Sequence, residues 1–290
     1  MKWLQLTVPI SSQIEDACVN RVHELGATAV FTDSSPDSPL LSLHGIFPLE
    51  ADQESIEQAV RIYLASLRDL GFDVPEQEFT IQEIDEEKYL YQWKEYFQPI
   101  HFADTLVVEP VWDVGHALPG EKALRIDPGM AFGTGQHFTT QFCLQWICEH
   151  KDHLGSLVDI GCGSGILSIA ASLLGVDRVV ALDHDHAAMR AAQKGMEINN
   201  VQESVLLVAA DVLSLPLRGT FDAVIANLHT SLLLQAKETL ESLLTPGASL
   251  VLTGIGYARQ QEVLERYSCF HLQKIQEDPQ KEWVGIWYVR

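Results

Sequence analysis

The sequence predicts an α/β chain in two parts, a small α+β domain followed by a parallel sheet with helices on both faces. Three observations carry this. Over residues 1–85 the apolar periodicity reads strand, helix, strand, strand, helix, strand. From Leu106 onward, short apolar strands alternate with helical stretches, the pattern of repeated β-α units. The length of 290 residues, 47% hydrophobic and 20% charged, is enough for two cores and excludes a disordered or collagen-like chain.

In order, Trp3 to Pro9 alternates as a strand. Ser12 with Glu15 is a capping-box start for a helix to about Leu25, stopped by Gly26. Ala29 to Asp33 is a second strand, Ser34 to Pro39 a turn, and Leu40 to Phe47 a third strand. Asp52 to Leu70 is an amphipathic helix stopped by Gly71, and Phe79 to Ile84 closes the set. This order is the split β-α-β arrangement of ferredoxin-like domains, so residues 1–85 form the first domain. Asp85 to Phe97, with Tyr89, Tyr91, Trp93 and Tyr96, reads as an aromatic helix whose rings pack the domains together. Residues 86–103 are the linker and 104–290 the second domain.

In that domain Leu157 to Ile160, Arg178 to Asp183, Val205 to Ala210 and Phe221 to Asn227 read as strands. Gly165 to Leu174, His186 to Ile198 and His229 to Leu244 read as the helices between and after them. The Pro246-Gly247 turn stops the last of these, and Ala248 to Ile255 is the next strand. After a helix near Ala258 to Tyr267, the segments Cys269 to Ile275 and Trp283 to Val289 pair as an antiparallel edge.

The chain carries 19 Lys plus Arg against 40 Asp plus Glu, a net of −21. Such a balance argues against direct nucleic-acid binding, which needs clustered cations, and suits either a basic protein partner or a role in keeping the chain soluble. Residues 1–100 hold 18 acids and 6 bases, a net of −12, leaving −9 for the other 190. The five cysteines are scattered and contain no Cys-x-x-Cys pair, which points to a reducing cytoplasm. No signal peptide or membrane-spanning run is read, and a monomer is expected.

Val158-Asp159-Ile160-Gly161-Cys162-Gly163-Ser164-Gly165 runs from a strand into three alternating glycines and a helix. Such a turn lets backbone approach a nucleotide-like ligand and opens a helix N-terminus toward it. A dinucleotide fingerprint needs Gly-x-Gly-x-x-Gly, whereas the third glycine here follows after one residue and Asp159 precedes the first by two. This tighter pattern looks like the first motif of methyltransferases that use S-adenosylmethionine. Asp183 ends the next strand, where it can accept both ribose hydroxyls. Asp211 ends the following strand and fits either an adenine amino group or a turn. Asn227 ends a central strand, where an amide either faces the reactive end of a cofactor or caps a helix.

Asp127 to Thr140, Asp-Pro-Gly-Met-Ala-Phe-Gly-Thr-Gly-Gln-His-Phe-Thr-Thr, is too rich in small and special-backbone residues to serve packing, and reads as a mobile loop over a ligand. Asp183-His184-Asp185-His186 looks like a metal cluster, but Asp183 is better used on ribose, so no metal is expected. Cys143 and Cys148 read as core residues.

These segments together resemble the family of bacterial class I S-adenosylmethionine enzymes that methylate large-subunit ribosomal protein 11. The resemblance spans nearly the whole chain, through Trp3-Leu4-Gln5-Leu6, Trp93 to Phe97 with Pro99 and Phe102, Asp127 to Thr140, Asp159 to Gly165, Thr253-Gly254-Ile255 and Glu282-Trp283. It implies a seven-stranded Rossmann-like methyltransferase domain behind a ferredoxin-like domain that docks the substrate. It also implies S-adenosylmethionine held by Thr140, Gly161, Asp183 and Asn227, to which the glycine turn adds Gly163, and trimethylation of lysine and N-terminal amino groups. The chain departs from the family at Asn227-Leu228-His229, where Asn-Ile-Leu is usual, and follows it loosely over Thr32 to Pro48.

The expected reaction is in-line displacement, with a neutral amine attacking the sulfonium methyl and Asn227 positioning it without a dedicated base. A related methyltransferase of another protein lysine or a small amine fits the same residues. Glycine spacing disfavours an NAD-dependent dehydrogenase, and the intact Gly161, Asp183 and Asn227 disfavour a vestigial binding module.

Overall fold

The computed structural model describes residues 2–34, 40–76, 78–85, 97–127, 135–215 and 221–290. The expected aromatic helix over 86–96, the turn at 35–39 and positions 128–134 of the long loop lie outside the described residues. The chain divides into two units, Met1–Phe97 and Gln98–Arg290.

In the first unit β1 (Lys2–Ile10), α1 (Glu15–Glu24), β2 (Ala29–Ser34), β3 (Leu41–Pro48), α2 (Gln53–Asp69) and β4 (Thr80–Asp85) follow in sequence. The sheet order is β2-β3-β1-β4, and every pairing is antiparallel. Alternation along β1 sends Leu4, Leu6, Val8 and Ile10 into one core with Cys18 and Val22 of α1 and Ile56, Val60 and Leu67 of α2. Asp52 caps α2 by accepting from the backbone N–H groups of Glu54 and Ser55. The capping-box expectation for α1 is corrected. A 3-10 turn, Ser12–Ile14, precedes it, and Ile14 at the N-cap supplies no side-chain bond. The Glu15 carboxylate accepts from Thr32 Oγ1 on β2.

The second unit opens with a three-stranded sheet, β5 (Ile100–Phe102), β6 (Leu106–Pro110) and β7 (Lys122–Ile126), in that order. Its main sheet holds β8 (Ser156–Ile160), β9 (Arg178–Asp183), β10 (Val205–Ala209), β11 (Phe221–Asn227), β12 (Leu244–Gly256), β13 (His271–Glu277) and β14 (Trp283–Val289). The order is β10-β9-β8-β11-β12-β14-β13. The first five strands pair in parallel, and β14 and β13 add the antiparallel edge. Helices cover both faces. On one lie α3 (Phe138–His150), α4 (Ile166–Leu173) and α5 (His186–Ile198); on the other lie α6 (Thr230–Ser242) and α7 (Gln260–Arg266).

The α6–β12 boundary differs from expectation. α6 ends at Ser242, and Leu244 already pairs with Phe221, while Ala223 pairs with Ser249. The unmatched residues loop out as the Pro246-Gly247 turn, with Gly247 at φ +81°. The turn therefore lies inside β12 instead of ending the helix. Among the described residues no helix is long and apolar enough to cross a membrane.

Candidate active site

β8 is buried along its whole length, Asp159 included, and ends where the strand order reverses: β9 lies to one side and β11 to the other. In open α/β sheets this switch point is where ligands bind, beyond the carboxyl ends of the strands. The turn there uses its glycines for conformation, with Gly161, Gly163 and Gly165 at φ +74°, +54° and +78°. Gly161 N and Cys162 N both donate to Leu182 O, at 2.8 and 2.9 Å, fastening the turn to β9. A Cβ on Gly161 would lie 2.4 Å from Leu228 Cδ2, so the turn also needs a bare Cα against the end of β11. Gly165 caps α4 without a side chain of its own, and Ser164 Oγ accepts from the first helical N–H, that of Ile166, at 3.4 Å.

Asp183, 7% exposed, gathers two backbone donors: Gly163 N reaches Oδ2 at 3.0 Å and Asp185 N reaches Oδ1 at 2.9 Å. Each oxygen keeps a lone pair for a further donor. Asp159 sits behind the turn, fully buried, accepting from Ser168 Oγ at 2.8 Å through Oδ2 while Oδ1 finds no partner. Burial, reinforced by the nearby Asp183 charge, raises its pKa to about 7. Asp159 thus holds its proton to far higher pH than an ordinary carboxyl. Burial likewise pushes the Cys162 thiol up, away from nucleophilic thiolate chemistry.

Across the switch point, Asn227 ends β11. Its Nδ2 donates to Thr139 Oγ1, 3.3 Å away in the first turn of α3. His137 is the N-cap of that helix and accepts from Thr139 N. Thr140 beside it has a buried hydroxyl with no partner among the described residues. The sheet holds Asn227 through a close contact: Leu228 N donates to Thr253 O at 3.1 Å, and a Cβ on Gly254 would lie 2.4 Å from Leu228 O. With Gly254 at φ +77°, no other residue fits there comfortably.

Thr140, Gly161, Gly163, Asp183 and Asn227 thus all lie at the carboxyl ends of β8, β9 and β11 or at the head of α3. Asp211 does not join them as a buried group. It is exposed and caps a 3-10 turn, accepting from Leu213 N at 2.9 Å. Sequence reasoning missed His137, Thr139 and Gly254 as working parts. A glycine interrupting an apolar strand was the available signal for Gly254, and His137 stood unremarked within the long loop.

The arrangement fits a nucleoside cofactor bearing a charged tail. The turn needs left-handed glycine backbone, the Asp183 carboxylate stands at the end of the neighbouring strand, and the buried Thr140 hydroxyl has no partner among the described residues.

The family model for ribosomal protein L11 methyltransferase (PrmA) matches residues 2–290. The ribosomal protein L11 methyltransferase of Pelobacter propionicus is 32% identical over 306 residues, covering 100% of this chain and 98% of its own. That of Symbiobacterium thermophilum is 34% identical over 256 residues, covering 88% and 83%. The solved ribosomal protein L11 methylase of Lactobacillus delbrueckii subsp. bulgaricus is similar with a TM-score of 0.61 at 28% identity, over 67% of this chain and 99% of that one.

Proposed function

The chain belongs to the ribosomal protein L11 methyltransferase family, and on that footing we propose that it methylates ribosomal protein L11 on lysine side chains and the N-terminal amine. It is an S-adenosylmethionine-dependent protein methyltransferase. The observation that carries the reading is the Asn227–Thr139 hydrogen bond, which ties the end of β11 to the head of α3 beside the glycine turn.

Residues 104–290 form the methyltransferase domain and 86–103 the connection. The first 85 residues, with the β2-β3-β1-β4 order of ferredoxin-like domains, form the substrate-recognition domain. Within the catalytic domain Asp183 holds the ribose hydroxyls. Gly161 and Gly163 let backbone approach the methionyl end, and Thr140 donates its hydroxyl to that end. Asp211 stands near the adenine. The bound cofactor supplies an electrophilic methyl group on sulfonium. Asn227 holds the acceptor amine in line with that methyl, so catalysis is chiefly positioning. A lysine amine, with a pKa of about 10.4, must shed a proton first, and a poorly solvated site favours its neutral form.

The test is transfer of labelled methyl from S-adenosylmethionine to purified ribosomal protein L11. Label on L11, reduced about a hundredfold in Asn227→Ala, is expected for a lost positioning contact. Cofactor binding without any label on L11 would overturn the reading.

A further inference from the structure

The two ends of the Asn227 side chain are chemically opposite: Nδ2 only donates and Oδ1 only accepts. Three contacts decide which end faces where. His137 Nδ1 accepts the backbone N–H of Thr139 at 3.3 Å, so this nitrogen carries a lone pair and no proton. Thr139 Oγ1 lies 2.7 Å from the same nitrogen, and its single hydroxyl proton must therefore point there. Only lone pairs remain on Oγ1 for Asn227, and Nδ2 donates to them across 3.3 Å.

We propose that His137 and Thr139 are positioning residues that orient the Asn227 carboxamide, turning Nδ2 toward α3 and Oδ1 toward the acceptor amine. This rests on the placement of Asn227 beside the reacting centre. The orientation matters because an amine that meets Oδ1 gives it an N–H and keeps its own lone pair for the methyl group. One that met Nδ2 would have that lone pair occupied by a hydrogen bond and could not attack. The relay is well supported sterically. Thr139 is 1% exposed, and the His137 ring lies edge-on to Trp283, with centroids 5.4 Å apart. Burial holds the imidazole below its ordinary pKa against the pull of Asp278, which disfavours the imidazolium; the Thr139 N–H aimed at Nδ1 then selects the tautomer with its proton on Nε2.

The test compares kcat on L11 and the S-adenosylmethionine Kd in the full-length wild type, Thr139→Val, Thr139→Ser, Asn227→Ala and the Val/Ala double variant. Thr139→Val is expected to lower kcat about tenfold or more, as misorientation of a reacting group does, with Kd little changed. Thr139→Ser, which keeps the hydroxyl, recovers most of that loss, and the double variant is no slower than Asn227→Ala alone. Thr139→Ala reads the same way if valine is not tolerated. Wild-type kcat in Thr139→Val alongside a slow Asn227→Ala would overturn the relay while leaving the role of Asn227 intact. Equal losses in the Val and Ser variants would overturn it too. A fully active Asn227→Ala would instead remove the reading on which the relay rests.

Discussion

The two units treat polar groups in opposite ways. Among the described residues the first unit buries only Gln5 and Ser11, whereas the second buries Asp159, Ser168, Asp183, Thr139, Thr140 and Thr253, among others. Net charge runs the other way, with −12 on residues 1–100 and −9 on the remaining 190. Buried polar groups are costly unless partnered, so their concentration around the ends of β8, β9 and β12 and the heads of α3 and α4 supports the proposed site. Exposed charge costs little and acts at a distance, so the acidic first unit speaks to encounter with a basic protein.

The sharpest way to break this contrast is to disturb the second unit where no charge is involved. Gly254→Ala places a Cβ against the Leu228 backbone at a left-handed position and displaces Asn227. Methyl transfer should fall about a hundredfold, with a melting temperature lower by several degrees, read by label transfer and calorimetry. Wild-type turnover would show that the Leu228 contact does not hold Asn227.

Asp183→Ala comes next. It strips Gly163 N and Asp185 N of their acceptor and removes the carboxylate proposed to hold the ribose hydroxyls. The S-adenosylmethionine Kd should rise at least tenfold by titration calorimetry, in keeping with about 1.5–3 kcal/mol for a hydrogen bond to a charged group.

A subtler effect belongs to Asp159, whose folded pKa of about 7 exceeds the roughly 3.9 of an unfolded aspartate. Between those values the folded chain holds a proton that the unfolded chain lacks. The wild type therefore loses stability as pH rises from about 4 to about 7, then levels off. Asp159→Asn lacks this dependence, so its melting temperature should gain on that of the wild type across that window. A constant difference would show that the carboxyl is ionised throughout.

The smallest expected effect tests the first unit. Raising salt from about 0.05 to 0.3 M should increase KM for L11 several-fold, as screened steering predicts, and leave the cofactor Kd nearly unchanged. Equal sensitivity of both would erase the proposed division of labour.

The parts of the fold most readable in sequence were those under the strongest burial. β8, β9 and β11 are mostly apolar because both sheet faces are covered, and the glycine turn stands out because left-handed backbone needs glycine. β5 and β7 left a weak trace, being three and five residues long with exposed positions. The start of α1 was misplaced because a 3-10 turn over Ser12–Ile14 comes first and sets Ile14 at the N-cap of the α-helix. Asp159 was legible as an acid before the glycines, but its complete burial was not. The Asn227–Thr139 contact joins residues 88 positions apart, and no local pattern encodes such a meeting.

The most direct test of the central claim is to map by peptide mass spectrometry where methyl groups arrive on L11 after incubation with the full-length enzyme and S-adenosylmethionine. The account predicts them on lysine Nζ and the N-terminal nitrogen, arriving about a hundredfold more slowly when Asn227→Ala is used under the same conditions. Methyl groups on oxygen or arginine, or an unmodified L11 in the presence of cofactor-bound enzyme, would contradict it.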